Sequence, residues 1–315
     1  MSLTRAATRT AAGLTAMGAA GLAYASLIER NAFTVRRFSV PVLPHRAAPL
    51  RVLHLSDIHL VPRQKRKIEW LRSLAALEPD LVVNTGDNLA DLEGVPAVLR
   101  ALEPLLALPG VFVMGSNDYF APSLKNPTRY LTTAPARHGD SIPLPTNDLV
   151  NAFTDAGWKD LNNARTALSV GGQALELVGV DDAHLNYDRY AAVAGPSDPH
   201  AALTVGVTHA PYQRVLDSMT ADGAGLVIAG HTHGGQLCLP FYGTLVTNCD
   251  LDRHRAKGVS RWWPGAGEKP SSQAPDDAAW LEVSAGLGTS PYAPVRFACR
   301  PEVTLLTLNA GPVGG

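Results

Sequence analysis

Apolar runs of strand length recur along this chain of 315 residues, and each run ends at glycine or at polar residues. Two stretches between the early runs, 66–77 and 95–106, instead space their apolar residues as a helix does, and prolines end both. Strands that alternate with helices predict sheets whose faces are covered. The later runs have no long helices between them, which favours a four-layer α/β/β/α sandwich of mixed sheets over one parallel doubly wound sheet. The runs are 50–55, 81–85, 111–114, 175–180, 203–208, 226–229, 280–284 and 303–308.

The charges of the chain nearly cancel, with 27 lysines and arginines against 28 aspartates and glutamates. Because there is no global basic field, we expect no nucleic-acid partner, and an anionic substrate must be bound by local groups. The three cysteines, Cys238, Cys249 and Cys299, show no Cys-x-x-Cys pairing. This spacing argues against both a zinc ribbon and a disulfide scaffold.

The N-terminal segment differs in composition from the rest of the chain. Residues 11–28 carry no charge, follow Arg5 and Arg9, and approach the length needed to cross a bilayer, but alanine and glycine dominate them. We assign 1–32 to an N-terminal hydrophobic helix that anchors the protein in a membrane. A signal peptide cleaved after the Ala-x-Ala pattern at 23–25 and a peripheral or packed helix are the alternatives, for a secreted or a cytoplasmic protein. Basic residues flank the segment on both sides, so the side of the membrane stays open.

Two further segments are interpreted from their proline content. Residues 33–49 contain several prolines and arginines and are interpreted as a linker to a catalytic domain at 50–310. Residues 121–146 are also rich in proline, and loops of this length in compact domains are usually functional or mobile. We therefore predict a cap over the site at 121–146, with a plain surface excursion as the alternative.

Side chains able to bind metal follow the strand-length runs at widely separated points of the sequence. In open α/β sheets the carboxyl ends of the strands form the ligand-binding edge, so we expect these side chains to converge. A mixture of oxygen and imidazole ligands suits Mn²⁺, Fe²⁺ or Zn²⁺ better than Mg²⁺ or Ca²⁺. Two such ions need a carboxylate between them, and Asp87, in a tight glycine turn, suits this bridge. The candidate ligands are Asp57, His59, Asp87, Asn117, His209, His231 and His233.

Each of these elements alone is weak evidence for a metal site. An Asp-x-His, a Gly-Asp turn or a single histidine at a strand end is more often explained by packing or by a surface position. That plain interpretation is kept for five other histidines, namely His45, His54, His138, His200 and His254. The indication of a dinuclear centre comes from the ordered set, in which every member stands at the end of a run.

The motifs at the ends of the runs have a characteristic form. They are Ser56-Asp57-Ile58-His59, Gly86-Asp87, Asn117, Thr208-His209-Ala210-Pro211 and Gly230-His231-Thr232-His233-Gly234-Gly235-Gln236. This set resembles the calcineurin-like metallophosphoesterase superfamily over 50–308, and flanking motifs at 28–30 and 294–303 are similar to its bacterial membrane-associated phosphodiesterase branch. The resemblance implies one ion on Asp57, His59 and His233 and another on Asn117, His209 and His231. It also implies that Asp87 is shared by both ions.

The function implied by the resemblance is a two-metal-dependent hydrolysis of phosphate esters. The branch favours a phosphodiester, and an anchored enzyme suits a lipid-linked or nucleotide-sugar substrate such as UDP-2,3-diacylglucosamine. A phosphomonoesterase or protein phosphatase is the alternative among enzymes. A catalytically silent scaffold with the same fold is the alternative from another class, although this chain keeps every inferred ligand.

The third motif departs from the family pattern Gly-Asn-His-Asp, since this chain reads Gly115-Ser116-Asn117-Asp118. Matching the glycines puts Ser116 at the ligand position, whereas matching the strand length puts Asn117 there and Asp118 at the catalytic histidine. We favour the second register, because an amide oxygen is a better metal ligand than a serine hydroxyl. The histidine that assists the leaving group is absent in either register. We therefore predict that Asp118, with a pKa raised by burial, or His184 donates the proton.

Three more residues have a candidate role beside a plain structural alternative. Asp181 and Asp182 are candidate acceptors for a ligand histidine, or they simply terminate a strand. Arg296 is a candidate phosphate contact, or it pairs with a carboxylate near the last strand.

Overall fold

The computed structural model describes residues 3–123, 141–267 and 273–311. Its strands form two six-stranded sheets and a two-stranded ribbon. The strands are β1 Thr34–Leu43, β2 Leu50–Leu55, β3 Leu81–Asn84, β4 Gly110–Phe112, β5 Lys159–Asp160, β6 Ala164–Val170, β7 Gln173–Gly179, β8 Leu203–Thr208, β9 Leu226–Ala229, β10 Cys238–Leu239, β11 Gly243–Thr244, β12 Gly258–Trp262, β13 Ala279–Val283 and β14 Glu302–Ala310. The helices are α1 Leu3–Ala23, α2 Lys65–Ser73, α3 Gly94–Leu106, α4 Ser116–Tyr119, α5 Thr146–Asp155 and α6 Gln213–Ala221.

Both large sheets are mixed, with parallel strands at the centre. The first has the order β1-β14-β2-β3-β4-β5, in which only the β14–β2 pair is antiparallel. The second has the order β12-β13-β9-β8-β7-β6, with antiparallel pairs only at its two edges. The central strands are nearly continuous apolar runs because both of their faces are covered.

Three buried clusters show the order of the layers. Val83 of the first sheet and Val205 of the second belong to one cluster, so the sheets pack face to face. The outer face of the first sheet packs on α2, α3 and α5, as Val98 of α3 illustrates. The outer face of the second sheet packs on α6 through residues such as Leu216. The predicted four-layer α/β/β/α sandwich with mixed sheets is confirmed.

The segment 33–49, predicted to be a linker, mostly belongs to the first sheet. Its residues Thr34–Leu43 form β1, which runs parallel to β14 with the register Thr34 to Glu302 and Val40 to Leu308. The arginines and the proline that suggested a linker are compatible with an edge strand, because an edge tolerates proline and exposed charge. Arg36, for example, extends from β1 to pair with Glu302 at 3.0 Å.

The N-terminal helix α1 passes into short helical turns at 24–31 that attach it to the sandwich. Glu29 is buried, and its carboxylate accepts hydrogen bonds from Ala298 N at 3.1 Å and Cys299 N at 2.7 Å. In contrast to the membrane-crossing anchor expected at 1–32, no helix within residues 3–123, 141–267 or 273–311 has the length and apolar character to span a membrane.

The cap predicted at 121–146 falls mainly on residues 124–140, which lie outside the described residues. The described ends of that segment are joined by main-chain bonds, from Ala121 N to Ile142 O at 2.8 Å and from Leu144 N to Tyr119 O at 2.9 Å. The two described ends of the segment therefore lie side by side, next to the end of α4.

Candidate metal centre

The loops that follow β2, β3, β4, β8 and β9 meet at one edge of the two sheets. The first two are joined by main-chain bonds, from Asp57 N to Gly86 O and from His59 N to Asp87 O, both at 2.9 Å. The loop after β9 approaches the end of β2 so closely at Gly230 that a Cβ there would collide with side chains of the β2 loop. Glycine at that position is therefore a requirement of the site.

Five of the predicted ligands have left-handed main-chain dihedral angles, which residues other than glycine rarely adopt. The φ angle is 49° at Asp57, 42° at His59, 55° at Asp87, 70° at His231 and 50° at His233. Such residues persist only where the surrounding structure holds them, and they cluster at functional sites. The strain is concentrated where side chains must point to a common centre.

The first ligand group consists of Asp57, His59, Asp87 and His233, which offer ligand atoms within 4.8 Å of one another. His59 Nε2 lies 3.2 Å from His233 Nε2 and 3.5 Å from Asp87 Oδ2. His233 Nε2 lies 3.5 Å from Asp57 Oδ1, a buried oxygen with no hydrogen-bond partner among the described residues. Imidazole nitrogens that face each other beside an unpaired buried carboxylate oxygen fit a cation placed between them.

The protonation states of this group also suit a metal ion. Burial lowers the pKa of His59 to about 3 and lowers the pKa of His233 as well. Burial raises the pKa of Asp57, but the imidazoles of His233 and His209 and the hydroxyl of Ser56 outweigh it, so the pKa lies below its ordinary value. The group thus offers neutral imidazoles and an ionised carboxylate, the forms that bind metal.

The second predicted ligand group consists of Asn117, His209 and His231 together with Asp87, which is predicted to be shared. His209 Nε2 lies 3.6 Å from Asp87 Oδ1 and 3.3 Å from His231 Nδ1. The two oxygens of Asp87 lie nearest different imidazoles, since Oδ1 approaches His209 and Oδ2 approaches His59. This is the arrangement that a carboxylate bridging two ions requires.

Main-chain carbonyls orient both imidazoles of the second group. His209 Nδ1 lies 2.7 Å from Thr85 O, and His231 Nε2 lies 3.2 Å from Asn248 O. Each of these nitrogens carries the hydrogen, because a carbonyl can only accept, which leaves the other ring nitrogen to face the centre. Burial lowers the pKa of His209, but Asp87 and Asp182 more than compensate and raise it to about 9. A metal ion at His209 Nε2 would take the place of that proton.

The third motif brings Asn117, and not Ser116, against the shared carboxylate. Asn117 donates to Asp87 through its main-chain N at 2.7 Å and through Nδ2 at 2.8 Å. The Ser116 hydroxyl lies 3.4 Å from Asn117 Nδ2. Because amide oxygen and nitrogen exchange places when the group turns over, Asn117 Oδ1 can occupy the position now held by Nδ2.

Asp118 is buried, and main-chain N–H groups surround its carboxylate. Oδ1 accepts from Asn88 N at 2.8 Å and Leu89 N at 3.2 Å, while Oδ2 accepts from Asp87 N at 2.8 Å and Gly115 N at 3.1 Å. Burial raises the pKa of Asp118 to about 7, but these bonds require acceptor oxygens. The contacts are those of a clamp between the β3 and β4 loops and do not support the predicted proton donor.

The other predicted proton donor, His184, lies at the edge of the second group. Its ring centroid is 4.7 Å from that of His231, and its Nδ1 lies 3.1 Å from the Tyr212 hydroxyl. Its main-chain N donates to Asp182 Oδ1 at 2.9 Å, so Asp182 fixes the turn that carries it. The ring is only partly buried and can reach a group placed beside the second ligand group.

Arg296 lies beside His233 of the first ligand group, with its Nη2 3.4 Å from His233 Nδ1. The side chain is fully buried, and it donates to the carbonyls of Gly288 at 2.7 Å, Ala285 at 2.8 Å and Gly286 at 3.0 Å. Lys67 acts similarly on the other side of the loop after β2, donating to Ile58 O at 2.9 Å. Both cations hold loop carbonyls, and Arg296 is also attracted by the charges of Asp57 and Glu302, the latter in the last strand.

A hydrogen-bonded series of buried side chains leads to Asp57, and the sequence did not predict it. Ser56 Oγ donates to Asp57 Oδ2 at 2.5 Å, and Thr85 Oγ1 donates to Ser56 Oγ at 2.7 Å. Thr85 Oγ1 in turn lies 2.8 Å from His54 Nε2, and His54 Nδ1 lies 2.5 Å from Glu282 Oε2. The series crosses from β13 of the second sheet to the end of β2 in the first. The only sequence signals were a histidine and a glutamate inside apolar strands.

This fold and this set of ligand side chains define a metal-dependent phosphoester hydrolase. The chain belongs to the calcineurin-like phosphoesterase family, whose pattern matches residues 50–235.

Relatives of this chain include proteins from bacteria and from a mammal. The phosphodiesterase YaeI of Escherichia coli (strain K12) is 25% identical over 91% of this chain and 93% of its own length. The uncharacterized metallophosphoesterase YkuE of Bacillus subtilis (strain 168) is 25% identical over 95% of this chain and 93% of its own. A transmembrane protein with metallophosphoesterase domain from Bos taurus is 30% identical over 64% of this chain and 45% of its own length.

Proposed function

We propose that this protein is a phosphodiesterase with a dinuclear metal centre. Asp57, His59 and His233 hold one ion, the second ligand group holds the other, and Asp87 is shared. The observation that carries the proposal is the position of the Asp87 carboxylate, whose Oδ2 lies 3.5 Å from His59 Nε2 and whose Oδ1 lies 3.6 Å from His209 Nε2. The relative named as a phosphodiesterase supports a diester as the substrate class.

The mixed ligand set favours Mn²⁺, Fe²⁺ or Zn²⁺ over ions that prefer oxygen alone. Bound at such a centre, divalent ions polarise the phosphoryl oxygens and make hydroxide available near neutral pH. The chain's own part is to hold the imidazoles of His59 and His233 neutral, to keep Asp57 and Asp87 ionised and to position the ester. His184 donates the proton to the leaving alcohol, because it borders the second ligand group and is partly exposed.

We further propose a membrane-associated enzyme that acts on a lipid-linked or nucleotide-sugar diester of the UDP-2,3-diacylglucosamine type. Helix α1 supplies the membrane contact, since Leu14, Met17 and Leu22 present their side chains to the outside. Relatives from Bos taurus and Danio rerio that are named transmembrane proteins support an association with membranes.

Initial rates with bis-p-nitrophenyl phosphate and with p-nitrophenyl phosphate, measured on the Mn²⁺-loaded protein, test the substrate class. The two esters share a leaving group, so their kcat/KM values compare diester with monoester directly. We expect the diester to have the higher kcat/KM and chelation to abolish its hydrolysis. A higher kcat/KM on the monoester would make the protein a phosphomonoesterase. A protein that binds no transition metal after reconstitution and hydrolyses neither ester would be a scaffold.

A further inference from the structure

The ribbon formed by β10 and β11 presents apolar side chains to the outside. We call residues 237–247 the apolar hairpin, because they contain no charged residue and no histidine. Phe241 at its tip is fully exposed, and Leu239 and Tyr242 are 50% and 56% exposed. Phe241 also has a φ of 67°, a left-handed angle that an aromatic residue adopts only where the turn imposes it. An apolar tip held outwards in this way marks an interaction surface.

The apolar hairpin faces the end of the N-terminal helix. A groove of about 380 Å³ separates them, lined by Leu22 and Ala25 on the helix side and by Leu237 and Leu245 on the hairpin side. Beyond the groove, Leu27 and Ile28 are also exposed. The hairpin and the exposed side chains at 22–28 thus form one surface, which we call the apolar platform.

The charge at the border of the platform indicates what it contacts. The Arg253 guanidinium lies over the Tyr242 ring at 4.1 Å from its centroid and donates to Tyr242 O at 3.1 Å. Leucine and phenylalanine side chains stand at the tip, and a tyrosine and an arginine border them. This order of side chains matches the order of the layers at a bilayer surface. There apolar groups enter the acyl region, while phenols and cations remain among the anionic headgroups.

We propose that the apolar platform docks onto the surface of an anionic phospholipid bilayer. The hairpin contacts the metal centre through Thr244 in β11 and through Asn248, which directly follows the hairpin. Thr244 Oγ1 donates to Gly234 O at 2.9 Å, next to His233, and Asn248 O accepts from His231 Nε2 at 3.2 Å. Docking therefore places the metal centre at the bilayer surface. A metal centre in this position would have access to an ester carried by the membrane. That access rests on the proposed function, whereas the docking itself does not.

Vesicle flotation of the full chain tests the docking. The vesicles contain phosphatidylcholine and phosphatidylglycerol in equal parts, and the variant is Leu239→Ser with Phe241→Ser. Its matched control is Leu92→Ser, which removes an exposed apolar side chain outside the platform. We expect the double variant to lower the partition coefficient at least about tenfold and the control to leave it unchanged. Turnover of bis-p-nitrophenyl phosphate, which is soluble in water, should be equal in all three proteins and shows that each is folded.

Equal flotation of wild type and double variant would overturn the proposal. So would a wild type that does not float but forms a dimer that the double variant breaks, because the platform would then be an interface between copies of this chain. If the wild type floats, the double variant does not, neither hydrolyses a diester and both have the same melting temperature, the docking stands and the proposed phosphodiesterase activity fails.

Discussion

The two ligand groups of the metal centre are supported in different ways. Asp57 of the first group is the end of a chain of buried side chains that extends through Ser56 to Glu282 on the other sheet. The imidazoles of the second group, His209 and His231, instead donate to main-chain carbonyls. The first ion should therefore be sensitive to substitutions at residues that do not touch it. The second should be sensitive mainly to its ligands themselves.

Substitution of the carboxylate common to both groups should have the largest effect. We expect Asp87→Ala to lower kcat on bis-p-nitrophenyl phosphate by more than about 10³-fold, because charge compensation is lost on both sides of the centre. Steady-state kinetics with metal analysis measures this, and Asp155→Ala, at an exposed end of α5, is the control. Turnover like that of wild type in metal-loaded Asp87→Ala would contradict the shared role.

The second ligand group can be tested alone with two adjacent residues. Asn117→Ala should lower the bound metal from two ions towards one per chain, because the Asn117 amide lies 2.8 Å from Asp87 Oδ2. Ser116→Ala should keep both ions. Elemental analysis after equilibrium dialysis gives the stoichiometry of each variant. Loss of an ion from Ser116→Ala but not from Asn117→Ala would reverse the register of the third motif.

The effect of removing the proton donor on kcat should depend on the leaving group of the substrate. We expect His184→Gln to lower kcat by about 10²–10⁴-fold for a diester with an alkoxide leaving group and to change p-nitrophenyl release little. Asp118→Asn should instead lower the melting temperature, because an amide nitrogen cannot accept the main-chain N–H bonds that now hold two loops together. If Asp118→Asn kept the wild-type melting temperature and lost activity only on diesters with poor leaving groups, Asp118 would be the proton donor.

The smallest effect should come from substituting Glu282, which lies at the far end of the hydrogen-bonded series of buried side chains that leads to Asp57. Glu282→Gln should weaken binding of the first ion by about 10–100-fold and leave the second unaffected, since it alters the orientation of Asp57 through His54. A metal titration monitored by isothermal calorimetry measures the affinity for each of the two ions. Glu176→Gln, in a strand of the same sheet and paired with Arg165, is the matched control. If Glu282→Gln weakened the binding of both ions equally, the two ligand groups would not be supported in different ways.

The sequence predicted the elements whose pattern is local and repeated. Apolar runs covered on both faces identified the central strands, and the polar residues after them identified the side chains that meet at the sheet edge. The sequence predicts a linker where the edge strand β1 lies, because exposed arginines and Pro41 hide the pattern of a strand whose pairing partner is some 270 residues away. Pairings at such a distance leave no local signal.

The support of the site was less predictable than its ligands. His54 and Glu282 each look like an isolated polar residue in an apolar strand, and only the packing of the two sheets brings them to 2.5 Å. The role of Asp118 was also hidden, because the sequence shows a carboxylate in a loop but not the N–H groups that converge on it. Such contacts depend on the tertiary structure.

Activity measured as metal is returned to the metal-free protein tests the dinuclear centre most directly. Mn²⁺ is added in steps to the apoprotein, and the initial rate on bis-p-nitrophenyl phosphate is recorded at each ratio of ion to chain. Because Asp87 lies between two groups of predicted ligands, we predict little activity up to one ion per chain and a rise to full activity at two. Full activity at one ion per chain, or no activity at two, would contradict it.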